Sequence, residues 1–136
     1  MARGRRIGRL KLNPPTPEIA KKYLFNWDNK TLYLNPETFP QFQSYSFFER
    51  TAPLNVDIGC GSGEFICALA QDHPKKYFVG IDISQKAIFT AVNNAANLGL
   101  DNIKFIKVDY KLLFPLYQPR TLENVYIYFP DPNYGG

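Results

Sequence analysis

The run Asp57-Ile58-Gly59-Cys60-Gly61-Ser62-Gly63 sets three alternate glycines behind an acidic residue, directly after a short apolar stretch. Glycine has no Cβ, so such a run lets the backbone turn sharply off a strand and lets a ligand approach the main chain closely. Two phosphate-binding readings fail on the neighbouring residues. A phosphate loop of the ATPase type ends in Gly-Lys-Ser/Thr, whereas Gly63 is followed by Glu64. A dinucleotide loop spaces its glycines differently and gathers a pyrophosphate at a helix N-terminus, where the carboxylate of Glu64 would be unwelcome.

A cofactor without phosphate suits the loop better. S-adenosylmethionine carries a cationic ammonium and a sulfonium, and Asp57, two residues before Gly59, is placed to attract the ammonium directly or through water. Asp82 follows Gly61 by 21 residues in Gly80-Ile81-Asp82, the end of a second apolar run, where an acid in this kind of fold grips ribose hydroxyls. Ile83 beside it is counted with the cofactor contacts, as are Gly59, Gly61 and Gly63. Asp109 ends a third apolar run, Ile103–Val108, where a group can hydrogen-bond an adenine amine. Phe129-Pro130-Asp131-Pro132-Asn133-Tyr134 closes a fourth. In strand order 3-2-1-4 the first and fourth strands are neighbours, so Asp131 is expected across the switch point from the glycine loop, near the reactive methyl.

The elements that must position these residues alternate between strand and helix signals from Leu54 onward. Strands are expected at Leu54–Ile58, Tyr77–Ile81, Ile103–Val108 and Val125–Phe129. Between them, Gly63–Asp72 carries Phe65, Ile66, Leu69 and Ala70 at helical spacing. Ser84 reads as the cap of a helix running to about Leu98, with Ala87, Ile88, Ala91, Val92 and Ala95 on one stripe and Gly99 as its stop signal. Such alternation predicts an α/β fold with a parallel sheet and right-handed crossovers. Upstream, Thr16 and Pro17 read as the cap and first position of a helix, and residues 31–53, rich in aromatics and prolines, as an irregular wrapping segment. The chain divides into residues 1–53, a basic arm with an aromatic-rich extension, and residues 54–136, the cofactor domain.

Charge is unevenly spread. Residues 1–30 hold eight of the 16 Lys and Arg against Glu18 and Asp28, so that segment is +6 and the remaining 106 residues are −2. Arg3, Arg5, Arg6 and Arg9 lead it, which is the footprint of an electrostatic grip on nucleic-acid phosphates, with a solubilising tail or an organelle presequence as the plainer alternatives. No apolar run approaches the roughly 18 residues of a membrane span, so a soluble, cytoplasmic protein is expected. Cys60, Cys67 and His73 form no metal-ligand pattern, and no metal is expected.

Taken together, Asp-x-Gly-x-Gly-x-Gly, the acid after Gly-Ile, Asp109 and above all Phe129-Pro130-Asp131-Pro132 resemble the tRNA (guanine-N7-)-methyltransferase family, over residues 54–132. The resemblance implies a Rossmann-like class I methyltransferase that moves a methyl group from S-adenosylmethionine to N7 of a guanine in the tRNA variable loop. It implies Asp57, Asp82 and Asp109 as cofactor contacts, with Asp131 both a cofactor contact and the residue nearest the chemistry. Guanine N7 offers a lone pair and has no proton to lose, so the reaction needs alignment and charge stabilisation rather than a general base. Asn133-Tyr134 departs from the basic run of bacterial members, and the family's later basic segment, last strands and acidic guanine-recognition residues are not found up to Gly136. Only the first four strands are then expected, with an apolar edge at Val125–Phe129 that invites a partner chain and lowers solubility. Two rivals stand beside this reading. One is a methyltransferase acting on an exocyclic amine, from the faint likeness of Asp131-Pro132-Asn133-Tyr134 to an Asp-Pro-Pro-Tyr signature; the other is a non-catalytic cofactor- or RNA-binding protein.

Overall fold

Leu54–Ile58 (β1) places Leu54, Val56 and Ile58 on one side and Asn55 and Asp57 on the other, and all five residues are buried. Burial on both faces requires a central strand, and β1 lies inside a four-stranded sheet of order β3-β2-β1-β4. The computed structural model describes residues 13–26, 29–35, 43–112 and 122–127. Within these, β2 is Tyr77–Asp82, β3 is Ile103–Lys107 and β4 is Asn124–Ile127, every pair parallel. The expected strand order and direction are both observed. Boundaries differ by a residue: β2 runs on to Asp82, β3 ends at Lys107, and β4 begins at Asn124.

Parallel strands need crossovers, and helices supply them. Pro17–Tyr23 (α1) starts as expected, with the Thr16 hydroxyl accepting from the Ile19 N–H and Pro17 in the first turn. Glu64–Asp72 (α4) connects β1 to β2, and Gln85–Asn97 (α5) connects β2 to β3. The Ser84 side chain accepts from the Ala87 N–H, and Gly99 takes the left-handed conformation (φ +65) that ends the helix. Ile88, Ala91, Val92 and Ala95 form its buried stripe, packed with Ile66, Cys67, Phe78 and Phe105 in the core between helices and sheet.

The opposite sheet face carries Leu54, Val56, Ile58, Val79, Ile81, Ile106 and Val108, with Phe25, Phe47 and Phe48 packed against it. Phe47 and Phe48 pack on the sheet as a wrapping segment would, but in the described part of residues 31–53 the expectation of an irregular segment is corrected. Two short helices occur here, Asn29–Leu34 (α2) and Ser44–Phe48 (α3). Phe47 is buried, whereas Tyr33 and Tyr45 face solvent, so burial claims only part of the aromatic content.

The amino-terminal segment is fastened to the core between helices and sheet. Tyr23 is buried in it, its hydroxyl donates to the Leu100 carbonyl, and Phe25 N–H donates to Phe105 O at 2.8 Å. The Leu24–Phe105 bridge covers part of the outer edge of β3. On the other side, the buried Asn55 side chain donates to Glu123 Oε1 (3.1 Å) and accepts from Asn124 Nδ2 (2.9 Å), which fixes the register of β4 against β1. Val125 and Ile127 remain exposed, and among the described residues no strand pairs with the far edge of β4.

Asn102 ties the lower ends of these elements together. Its Nδ2 lies within hydrogen-bond distance of the carbonyls of Ala70 (2.9 Å), His73 (3.0 Å) and Lys76 (3.0 Å), at the end of α4 and in the loop beyond it. Because the residue is buried, removing the amide strands these acceptors away from water. Asn102→Ala is expected to cost about 2–3 kcal/mol, read from urea unfolding curves.

Candidate functional site

Asp57 is the fourth residue of β1, Asp82 the last of β2, and Asp109 lies two residues beyond β3. In a parallel sheet these positions share the carboxyl edge, where ligands of open α/β sheets bind. The glycine loop opens on the same edge. Gly59 (φ +79), Gly61 (φ +57) and Gly63 (φ +81) all adopt the left-handed backbone that glycine makes accessible, which explains their alternate spacing.

The loop N–H groups are largely spent within the protein. Gly59 and Cys60 donate to Ile81 O at 2.7 and 2.9 Å, Gly63 donates to Cys60 O at 3.0 Å, and Gly61 donates to Asp82 Oδ2 at 2.9 Å. A loop that cradles phosphate presents such groups to its ligand. Here four of them are committed elsewhere, and Glu64 stands at the first position of α4 with Ser62 Oγ donating to its carboxylate at 3.3 Å. The geometry therefore leaves few N–H groups of the loop free to donate to a phosphate.

Asp82 has a role that spacing alone did not disclose. Its two oxygens accept from Gly61 N–H and Ser84 N–H, both at 2.9 Å, so one carboxylate braces the glycine loop and the start of α5. Each oxygen keeps a further lone pair for a ligand hydroxyl. Ile83 beside it is exposed, an apolar surface at the strand end. Asp109 opens a short turn, its Oδ1 accepting from Lys111 N–H at 3.0 Å.

Asp57 is different. Its carboxyl is buried, and among the described residues it has no hydrogen-bonding or charged partner except the repulsive neighbour Asp82. Burial first, and the Asp82 charge second, push its pKa up from 3.8 to about 6. A buried carboxylate without a donor is costly, and a cationic ligand supplies what it lacks. A cleft of about 760 Å³ opens beside it, lined by Asp57, the loop residues Gly59 to Ser62, Glu64, Phe65 and residues 125–127 of β4. Phe65 and Tyr126 meet edge to face across this cleft, with ring centroids 5.1 Å apart. The carboxylates of Asp57 and Glu64 present acceptors to whatever enters; the aromatic pair presents an apolar wall.

Glu64, Phe65 and Tyr126 were not among the sequence-derived site residues. Their helical and strand periodicity reads as packing, and only the crossing of β4 beside α4 brings them to the cleft. Burial raises the Cys60 thiol well above its ordinary value and pushes Cys67 up to about 11, which disfavours the thiolate at both. His73 is the exposed C-cap of α4. Asp131, Phe129 and Pro130, together with Arg3, Arg5, Arg6 and Arg9, lie outside the described residues.

The chain is similar to known proteins over most of its length. Residues 51–134 match a family model described as "Putative methyltransferase". The tRNA (guanine-N(7)-)-methyltransferase of Chloroherpeton thalassium is 42% identical over 130 residues, covering 96% of this chain and 58% of that protein. The protein of the same name from Rubrobacter xylanophilus is 42% identical over 128 residues, covering 94% and 57%. The chain thus spans somewhat over half the length of these relatives. Among solved structures, an antibiotic-related methyltransferase superposes with a TM-score of 0.51 at 19% identity, over 68% of this chain and 47% of that one, a likeness of fold.

Proposed function

Because this chain belongs to that methyltransferase family, we propose that it forms the S-adenosylmethionine site of an enzyme that methylates N7 of a guanine in tRNA. The observation that carries the reading is Asp57, a buried acceptor without a donor among the described residues, beside a loop most of whose own N–H groups are already used. S-adenosylmethionine supplies an electrophilic methyl group on a sulfonium, together with an ammonium that such a carboxylate attracts.

Around it the roles distribute by position. Asp57 holds the ammonium, Asp82 takes the ribose hydroxyls with its remaining lone pairs, Ile83 packs against the adenine face, and Asp109 accepts from the adenine amine. Gly59, Gly61 and Gly63 admit the ligand to the backbone. Phe65 and Tyr126 form the wall that excludes water from the reacting face, where loss of water strengthens every charge interaction. Asp131, following β4 in sequence, is assigned the stabilisation of the positive charge that methylation creates on the purine. Arg3, Arg5, Arg6 and Arg9 grip tRNA phosphates.

We further propose that the exposed edge at Val125 and Ile127 accepts another strand, from further along the protein or from a partner chain. The activity is assigned to the cytoplasm, where its tRNA substrate resides. Among the described residues no helix is long and apolar enough to cross a membrane.

The test is to incubate the intact protein with methyl-labelled cofactor and bulk tRNA, then map the labelled atom. N7-methylguanine is the expected product. Label on an exocyclic amine contradicts the assignment, and cofactor binding with no transfer at all favours a non-catalytic binder.

A further inference from the structure

One face of the glycine loop lines the ligand cleft, and the other rests on α5. Asn94 Nδ2 on that helix donates to the Ser62 carbonyl at 3.0 Å. One turn earlier, Ala91 lies so close that a Cβ at Gly63 would approach its Cβ to 2.8 Å. Asn94 itself does not line the cleft. Because a peptide unit is planar, the Ser62 carbonyl and the Gly63 N–H move together. Asn94 holds the first, and Cys60 O accepts from the second at 3.0 Å. The peptide between Ser62 and Gly63 is therefore fastened at both poles, immediately before α4 begins, while Asp82 fastens Gly61 from the opposite side.

We propose that Asn94 is a positioning residue for the cofactor: by anchoring the Ser62–Gly63 peptide to α5 it keeps the loop in the shape that receives the ligand. The proposal rests on the cleft being the S-adenosylmethionine site. It follows that the amide matters for affinity more than for folding. Alanine is a better helix former than asparagine, so replacing Asn94 compensates the fold for part of the lost bond while leaving the loop less restrained. Asn93 offers a control on the same helix. Its Nδ2 donates to Asn13 O at 3.0 Å, holding the segment that leads into α1 rather than the loop.

The experiment is calorimetric titration of S-adenosylmethionine into the intact protein and its Asn94→Ala, Asn94→Asp and Asn93→Ala variants, with thermal melts of each ligand-free form. Asn94→Ala is expected to weaken binding about five-fold, the effect of one neutral hydrogen bond, and to raise KM for the cofactor while kcat stays within about two-fold. Asn94→Asp, which turns a carboxylate toward the Ser62 carbonyl, is expected to bind more weakly still. Asn93→Ala keeps the affinity of the unaltered protein. Normal affinity in both Asn94 variants overturns the proposal, and so does a loss of affinity that Asn93→Ala shares and that tracks a fall in melting temperature. An unaltered protein that does not bind at all is a different result, because it overturns the cofactor site on which the proposal rests. Hydrogen exchange at the Gly63 amide in ligand-free protein, faster in Asn94→Ala, reads the hold on the loop without any ligand.

Discussion

Asp57→Asn is expected to stabilise the ligand-free protein near neutral pH while weakening S-adenosylmethionine binding about ten- to a hundred-fold, the range for a lost charge-assisted hydrogen bond. Both effects come from one buried carboxyl. Its pKa is raised from 3.8 to about 6, so between those values the folded protein holds a proton that the unfolded chain has released. Stability then falls as pH rises through that window and stays lower above it. Glu123, the other clearly shifted carboxylate among the described residues, is lowered from 4.5 by Lys76 and Asn55 and acts only below that value. Thermal melts of the unaltered protein are therefore expected to be higher at about pH 5 than at about pH 7, with the Asn variant nearly flat over the same interval. Cofactor affinity runs the other way in the unaltered protein. It declines as pH drops through about 6, because the protonated carboxyl no longer attracts an ammonium. A variant that melts lower and binds normally would show Asp57 to be a structural group.

Gly63→Ala is expected to be far more damaging than Gly61→Ala, although the two residues belong to one motif. Both carry positive φ, so each alanine meets backbone strain of about 1 kcal/mol. At Gly61 nothing lies within 4 Å of the added Cβ, and the cost ends there. At Gly63 the new Cβ would sit 2.8 Å from Ala91 Cβ and 3.3 Å from the Phe105 ring, in a core that has no slack. Overpacking of this kind adds about 1–3 kcal/mol. Gly63→Ala is thus expected to lose about 2–4 kcal/mol in urea unfolding, with the loop displaced and binding reduced, against about 1 kcal/mol for Gly61→Ala. Equal losses at the two positions would mean that the loop does not press on α5 as described.

The sequence disclosed the elements whose signals are local. β1, α4, β2 and α5 show alternation or helical spacing within a few residues, and Thr16, Pro17, Ser84 and Gly99 mark helix ends by chemistry that acts over one turn. Strand order followed from the general rule for such sheets. The two helices at Asn29–Leu34 and Ser44–Phe48 escaped, being too short to show a period and lying in a stretch of aromatics and prolines; α3 has no side-chain cap at Gln43. At the carboxyl edge of the sheet, the positions of Asp57, Asp82 and the glycines were legible from spacing. Their detailed work was not: the Asp82 brace, the Asn94 tether and the Asn102 clamp each join residues more than 20 positions apart, and no local pattern announces them. Phe65 and Tyr126 were hidden for the same reason, since only the parallel pairing of β4 with β1 brings them together.

The function proposed for this cleft requires one selection, a cationic cofactor taken and phosphate refused. Parallel calorimetric titrations of the intact protein with S-adenosylmethionine and with a dinucleotide such as NAD measure it directly. Saturable binding of S-adenosylmethionine, lost in Asp57→Asn, with no heat from the dinucleotide, is the predicted result. Tight binding of the dinucleotide, or S-adenosylmethionine binding indifferent to Asp57, would contradict it.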